Sequence, residues 1–585
     1  MSMSEAQVEC DVLVVGSGCA GMAAAITAAS RGLKVIVVEK ASRYGGTTSR
    51  SGGWLWVPNT HLAAALGHRE RPDQALEYIR DQAGQAFNER RTRAFLDEGP
   101  KAIEFFMSKT AVQFDMPLTF PDYHAEAPGA AHGGRSMVTR PYDARELGDL
   151  LKTLGPVLPE LTVFGVTIGS GKDMIHFMRA TRSLESAWYV ARRLSKHFLE
   201  VLRYGRGMLL TNGNALAARL ARSAADLSIP LWLSSPAVEL LRDGDRVTGA
   251  VVQRGGEQVR VLSRQGVVLA SGGFPHDMAR RKATYPHVTS GHEHWSPTSE
   301  TNTGDGARMA EAVGGRFDAS LQSAAAWTPM SLVSRKDGTQ GIFPHFIDRA
   351  KPGVIAVDLV GRRFTNEANS YHDVVQAIIK ASTGKAESAC WLLADHRAIR
   401  RYGLGFVKPF PLPLGGHLRS GYLKKGSTPA ELARQIGVDP ATLEETIRRY
   451  NEDAQQGRDP EFGRGSKAYN RYQGDALHSP NPCVAPLRNG PFYAIKLVPG
   501  DLGSFMGIKT NENAQVIDAK GTPIAGLYAA GNDAASIMGG EYTGAGITLG
   551  PGLTFGYIAA QHIADQSAAH SASLTASSSR EALST

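Results

Sequence analysis

The chain opens with an apolar run, residues 10–15 (CDVLVV), that stops at Gly16. An alanine-rich stretch at 22–31 reads as a helix, and a second apolar run, 33–38 (LKVIVV), ends at Glu39. Strand, glycine turn, helix and strand predict a βαβ unit, which begins a parallel sheet. Ile79, Phe95, Ile103 and Phe106 mark helices over 75–98 and 101–112, divided by Gly99-Pro100. A further helix is predicted over 172–204. Residues 230–263 alternate as short strands around Asp243-Gly244-Asp245, the pattern of a meander. Residues 266–270 (GVVLA) form a buried strand closed by Ser271-Gly272-Gly273. From 326 to 498 prolines, aromatics and mixed patterns replace clean periodicity, which predicts a second domain. Residues 524–530 (IAGLYAA) return to the buried-strand pattern, and 551–564 form a closing helix.

Composition narrows the class. The 585 residues are 21% charged and 42% hydrophobic, which excludes a wholly disordered, collagen-like or coiled-coil chain. The net charge of +8 is too thin over this length for a nucleic-acid footprint. Cysteines at 10, 19, 390 and 483 form no CxxC, so neither a disulfide framework nor a metal site is predicted. The N-terminus lacks a basic region followed by an apolar one, and no stretch reaches ~18 apolar residues, so a cytoplasmic location without a membrane span is expected. The segment 172–206 stands apart. It holds eight Lys/Arg against three Asp/Glu, mixed with Phe177, Leu184, Trp188, Tyr189 and Phe198. An amphipathic helix touching a membrane surface fits this pattern, and so does a solvated helix packed on the main body.

Gly16-Ser17-Gly18-Cys19-Ala20-Gly21 is a G-x-G-x-x-G motif between a strand and a helix. Gly16 allows the tight turn, Gly18 lets backbone approach a pyrophosphate, and Gly21 lets helix and strand pack closely. Glu39, at the end of the next strand, can accept both ribose hydroxyls. Two further segments point to FAD rather than NAD. Residues 44–53 (YGGTTSRSGG), with Gly46, Thr47, Thr48, Ser51 and Gly53, are suited to an extended cofactor. Residues 526–532 (GLYAAGN) form a strand and turn ending at Asn532, and 550–556 (GPGLTFG) open a helix whose N-terminus can stabilise a reduced flavin. The expected fold is therefore α/β: a Rossmann-like FAD-binding domain, parallel sheet plus β-meander, over 1–325 with a return segment at 499–565. An α+β catalytic or substrate domain is inserted at 326–498, and a Ser/Ala-rich disordered tail follows at 566–585.

These motifs resemble the fumarate reductase/succinate dehydrogenase flavoprotein superfamily, and within it the 3-ketosteroid Δ1-dehydrogenases. The likeness covers about 8–565 and is strongest at 10–58, 266–274, 301–306, 361–374 and 491–557. In fumarate reductase-like members a Gly-x-Arg-Phe-x-Asn-Glu segment is followed four residues later by a proton-donating Arg. Here Gly361-Arg362-Arg363-Phe364-Thr365-Asn366-Glu367 is followed by Tyr371, where the ketosteroid dehydrogenases carry their catalytic tyrosine. Tyr542-Thr543-Gly544-Ala545-Gly546 matches their Tyr-x-Gly-x-Gly, in which the Tyr hydroxyl and the second Gly N–H hold the ketone oxygen. Thr543 stands where these relatives carry Pro, which predicts a less rigid loop. Gly546 argues against the Δ4-(5α) desaturases, which lack it.

The resemblance implies non-covalent FAD held by Gly16, Gly18, Gly21, Glu39, Lys40, Gly46, Thr47, Thr48, Ser51, Gly53, Val238, Gly272, Asn532 and Leu549. It implies Tyr371 as base, Tyr542 and Gly546 as oxyanion donors, and Tyr123 as a supporting tyrosine. Tyr371 needs help to be basic at neutral pH, and His372 and Arg363 are its neighbours in sequence. Trp54, Trp56, Phe346 and Phe505 are candidate pocket walls. The reaction implied is α,β-desaturation of an apolar cyclic ketone, a 3-ketosteroid first and a cyclohexanone-type ring second. The hydride passes to flavin N5, and an external acceptor such as a quinone removes the electrons. A flavin-binding module without catalysis would need no three matching tyrosines.

Overall fold

The computed structural model describes the chain from Ala6 to Ala582, with side chains to Ala569. Strand β1 (Ala6–Val15), helix α1 (Cys19–Ser30) and strand β2 (Val35–Val38) form the opening unit. β1 pairs in parallel with β2 on one side and with strand Glu257–Leu269 on the other. Leu231–Trp232 extends the parallel sheet beyond β2, and Pro523–Ala529 returns beside Glu257–Leu269. Valine and isoleucine dominate these strands because both faces are covered: Val12, Leu13, Val14 and Val37 are buried.

The meander is Ala237–Asp243, Arg246–Arg254 and the first half of Glu257–Leu269, all antiparallel. A boundary was expected near 264, but the strand is continuous through Leu269. One edge pairs with β1 along almost its whole length, and the other passes from the meander in its N-terminal half to Pro523–Ala529 in its C-terminal half. A second sheet of six antiparallel strands lies within 325–504, in the order Gln340–Pro344, Ala325–Ser334, Phe492–Ser504, Cys390–Ala394, Val354–Val357, with Lys424–Gly426 also on Phe492–Ser504.

Three helical expectations change. The break falls at 84–88, between helices Gln74–Ala83 and Glu89–Lys109, and the second runs through Gly99-Pro100. Gly99 is there for close packing, since a Cβ would stand 2.8 Å from Val57 Cγ1. The helix expected over 172–204 is two, Lys172–Arg179 and Leu184–Tyr204. Ser183 caps the second by accepting from Ser186 N–H. The closing helix runs Leu549–Ala582, so residues 566–582, expected to be disordered, continue it. That stretch is alanine-rich and holds no Gly or Pro to stop a helix. Residues 583–585 lie outside the described residues. The closing helix packs on α1 so tightly that a Cβ on Gly556 would meet Ala20 O at 2.3 Å. This contact sets the return segment beside the glycine turn. Among the described residues no helix is long and apolar enough to cross a membrane.

Candidate active site

The glycine turn is built by exclusion. Gly16 has φ +110°, and a Cβ there would lie 2.2 Å from Ala270 O; one on Gly21 would lie 2.0 Å from Gly16 O. At Gly18 the nearest atom is Thr48 Oγ1 at 3.7 Å, so a ligand can approach the backbone. The residue before α1 is Gly18, which has no side chain to cap it; Thr48 Oγ1 takes the Cys19 N–H, and the N–H groups of Ala20 and Gly21 remain for an anion. Glu39 is buried at the end of β2. Its carboxylate accepts from Ser17 N–H, Ser17 Oγ and Ala41 N–H, which fixes it beside the turn.

The other cofactor candidates surround this point. Thr48 Oγ1 accepts from Cys19 N–H, and Thr47 Oγ1 accepts from Ser299 N–H and Asn302 Nδ2. Gly46 faces open space. Lys40 pairs with Asp305 at 2.8 Å. Asn302 also donates to Gly272 O, and Asn532 O accepts from Ser504 Oγ. Ser504, Phe505, Asn532, Ile547 and Gly552 line a cavity at the first turn of the closing helix, which Leu549 begins. Ser235 N–H donates to Glu39 O, and Val238 follows three residues on, exposed on the meander. Ser51 and Gly53 instead face the start of helix Asn212–Asp226: Gly213 N–H donates to Ser51 O, and a Cβ on Gly53 would meet Asn212 C at 2.3 Å. A helix start with N–H groups to spare, an open glycine and a fixed carboxylate fit the phosphates and ribose of FAD. Sequence reasoning missed Asp533, which is buried and accepts from Ser271 and Gly273 N–H groups, shaping the turn around Gly272.

Three tyrosines from distant parts of the chain meet. The Tyr123 and Tyr371 hydroxyl oxygens are 3.1 Å apart. The Tyr542 ring stacks on Tyr123 with centroids 5.5 Å apart and meets Tyr371 edge-on at 4.8 Å. Tyr371 is the first residue of helix Tyr371–Ala381, capped by Ser370. Gly546 has φ +97°, and its Cβ position is 2.4 Å from the Trp54 carbonyl, so only glycine fits the turn. Its carbonyl accepts from Trp56 N–H, while its own N–H has no protein acceptor among the described residues.

The Thr543 loop is firmer than expected. Thr543 O accepts from Tyr123 N–H at 3.0 Å and from Tyr78 OH at 2.7 Å, locking the loops of Tyr123 and Tyr542 together. Trp56 is core rather than pocket wall. It is buried and donates to Asp122, which also holds Arg135, itself paired with Glu70. Trp54, Phe346 and Phe505 do border the site: Trp54 packs on Phe120, Phe346 on Tyr371 and Phe505 on Tyr542.

Neither expected helper reaches the Tyr371 hydroxyl. Arg363 is buried between Glu367 and Asp459. His372 Nδ1 accepts from Trp327 N–H and its ring faces Ser323, while burial pushes it down to about 4. Burial drives Tyr371 and Tyr123 well above the usual tyrosine range and Tyr542 up to about 12. Two features escaped the sequence reading. Tyr469 packs on Tyr123 at 4.5 Å and accepts from Gln473. His124, next to Tyr123, contacts both Asp373 oxygens at 3.1 Å; burial opposes its charge, but the Asp373 hydrogen bond and charge raise it overall. No local pattern marks either pair.

Similarity to known proteins agrees with this geometry. The FAD binding domain family matches residues 11–549. The chain is 44% identical to the 4-oxocyclohex-2-ene-1-carboxylate 5-dehydrogenase of Sinomonas cyclohexanicum, over 95% of this chain and 94% of that one. It is 35% identical to the 3-oxosteroid 1-dehydrogenase of Mycobacterium tuberculosis, over 95% and 99%. The crystal structure of the 3-ketosteroid delta1-dehydrogenase from Sterolibacterium denitrificans, in complex with 1,4-androstadiene-3,17-dione, superposes with a TM-score of 0.88 at 35% identity, covering 95% of this chain and all of that one. The glycine turn and fixed carboxylate, with matches spanning nearly the whole chain, place this protein in the FAD binding domain family, beside the 3-oxosteroid 1-dehydrogenases, as an FAD-dependent dehydrogenase.

Proposed function

We propose that the enzyme introduces a C=C bond beside the carbonyl of a cyclic ketone, with a 3-oxosteroid as substrate. The observation that carries this is the tyrosine cluster: two hydroxyls 3.1 Å apart, with Tyr542 packed against both rings. Removing a proton next to a ketone requires a base and donors for the oxygen as it becomes enolate-like. Tyr371 takes the proton. Tyr123 holds the Tyr371 oxygen and shares its charge. The Tyr542 hydroxyl, protonated at any working pH, and the free Gly546 N–H donate to the ketone oxygen. When bound, FAD supplies the acceptor for the electron pair that leaves with hydrogen from the adjacent carbon. Gly16, Gly18, Glu39, Thr47, Thr48 and Leu549 are the residues that would hold it. A quinone-like acceptor takes the electrons onward.

A second reading, a smaller ring bearing a carboxylate, draws support from the 44% identical relative. A carboxylate needs a cation. The buried Arg349, beside Phe346, already donates to the carbonyls of His345, Phe346, Glu367 and Asn369. Those bonds use four of its five N–H groups, so Arg349 has little left to offer a substrate carboxylate, and the neutral ketone stays the first reading. The two readings separate when purified holoenzyme is given androst-4-ene-3,17-dione or 4-oxocyclohex-2-ene-1-carboxylate with an artificial acceptor and the products are identified. A 1,4-diene from the steroid at the higher kcat/KM supports the first. Turnover of the small ketone alone replaces it with the second.

A further inference from the structure

We propose that His124 and Asp373 are positioning residues: their ion pair clasps the Tyr123 loop to the Tyr371 helix and so holds the two hydroxyls together, a role that rests on reading Tyr371 as the base and Tyr123 as its support. The two tyrosines belong to different parts of the fold. Tyr123 lies on a loop tied to the Tyr542 turn through Thr543 O. Tyr371 heads a helix anchored to the second sheet, where His372 Nδ1 accepts from Trp327 N–H. Among the described residues, two polar links join residues 120–124 to helix Tyr371–Ala381. One is the 3.1 Å hydroxyl pair itself, and the other is His124 with Asp373. A hydroxyl pair alone fixes one distance and leaves the rings free to swing about it. A second link, one residue along the loop, removes that freedom.

Each half of the clasp is fixed on its own side. Asp373 sits in the first turn of the helix that Tyr371 opens. Ser370 caps that helix by accepting from Asp373 N–H at 3.1 Å, and donates its own hydroxyl to the Asp373 carboxylate at 2.6 Å. Asp373 therefore moves only with Tyr371. His124 follows Tyr123 directly, and its N–H donates to Tyr78 OH at 3.3 Å. Both of its ring nitrogens face oxygens: Nδ1 the Gln82 amide oxygen, and Nε2 both carboxylate oxygens of Asp373 at 3.1 Å. A ring that donates from both nitrogens is an imidazolium, so the link to Asp373 is charge-assisted.

Stability is a poor reason for the pair. Its side chains are 23% and 24% exposed, and an ion pair in contact with water adds little to a fold. What it supplies is alignment, since misplacing a reacting group by about 1 Å costs up to about 100-fold in rate. A related contact stands at the third tyrosine. Glu541, directly before Tyr542, lies 3.8 Å from His372, the residue after Tyr371. The ionisable neighbours of the tyrosines meet as the tyrosines themselves do.

The test follows flavin reduction in stopped flow, with holoenzyme and saturating androst-4-ene-3,17-dione or 4-oxocyclohex-2-ene-1-carboxylate, whichever the wild type turns over. His124→Phe keeps a ring and loses both donors. It should retain FAD, bind the ketone within about threefold of wild type, and reduce its flavin at least about tenfold more slowly. His124→Gln, whose amide still donates to Asp373, should recover most of that loss. The deciding readout is the Tyr123→Phe background. There His124→Phe should slow the reaction by less than about twofold, because a residue that acts through the Tyr123 hydroxyl has nothing left to act on. If His124→Phe releases FAD, His124→Ala is read in the same way. An equal loss in both backgrounds, or flavin reduction at the wild-type rate without His124, would overturn the clasp and leave Tyr371 as the base. Loss of FAD by both His124 variants would overturn it as well, since the pair would then hold the fold. A Tyr123→Phe enzyme as fast as wild type would remove the reading of Tyr123 on which the clasp rests, and the clasp with it.

Discussion

Replacing Tyr542 by phenylalanine removes one oxygen and little else. The ring is held by Tyr123 at 5.5 Å, Tyr371 at 4.8 Å and Phe505 at 6.0 Å, contacts that phenylalanine keeps. The hydroxyl's pKa of about 12 means the group is a donor, not an anion, at neutral pH. Its loss leaves the Gly546 N–H as the one donor proposed for the ketone oxygen. Losing one oxyanion donor costs about 3–4 kcal/mol of transition-state stabilisation, or about 100- to 1000-fold in rate. The ground-state ketone carries little negative charge, so its binding should weaken far less. The assay is anaerobic mixing of holoenzyme with saturating ketone in stopped flow, following loss of the oxidised flavin band. Binding of an alcohol analogue, which lacks the carbonyl, should hardly differ between the two enzymes. Flavin reduction at the wild-type rate, or release of FAD by the variant, would refute this role for Tyr542.

Other perturbations test other parts. Burial raises the Tyr371 pKa, so its base form is scarce at neutral pH and grows as pH rises. The rate of flavin reduction should climb across about pH 6 to 9, and a flat or falling profile would exclude phenolate as the base. Glu367 is buried between Arg363 and Arg464; burial works against its charge, but the two guanidiniums hold its carboxyl down to about 2. This depressed pKa stabilises the fold above the ordinary range near ~4.3, and that stability drains away as pH falls toward 2. Glu367→Ala leaves the buried Arg464 without a carboxylate and Arg363 held by Asp459, and should cost about 3 kcal/mol in denaturant unfolding at neutral pH, whereas an unchanged midpoint would contradict the pairing. Gly16→Ala forces a Cβ to 2.2 Å from Ala270 O, so the purified variant should carry less FAD per chain than the wild type; full flavin content would show that the turn tolerates a shift.

What the sequence made legible follows the range of each signal. The βαβ unit and its glycines are local, because strand, turn and helix are consecutive and each glycine answers to a contact made by the turn itself. The tyrosines were found as motif positions. Their meeting depends on contacts such as Tyr123 with Tyr371, 248 residues apart. His124 and Asp373 are 249 residues apart, and Tyr469 lies on a short helix with no distinguishing pattern. The helpers assigned to Tyr371 failed for a geometric reason. Tyr371 opens a helix, where each residue is turned by about 100° from the last, so His372 points toward Ser323 and Trp327 instead. Arg363 precedes the turn and faces the Glu367 carboxylate. The Thr543 loop gains from hydrogen bonds the firmness that a proline ring would supply elsewhere. Gly99-Pro100 reads as a helix break, yet packing against Val57 carries the helix through.

Tyr371, the base proposed above, is tested most directly by removing its hydroxyl. Tyr371→Phe should keep its FAD, bind androst-4-ene-3,17-dione, and still be bleached by dithionite. Its flavin should be reduced by the steroid about 100-fold or more slowly than in the wild type. The sharper reading comes from the same steroid exchanged with deuterium at the carbon beside the ketone. If the wild type slows with it and Tyr371→Phe scarcely reacts, Tyr371 is the base. If Tyr371→Phe reduces flavin at the wild-type rate, with the same isotope response, the proton goes elsewhere and the account fails.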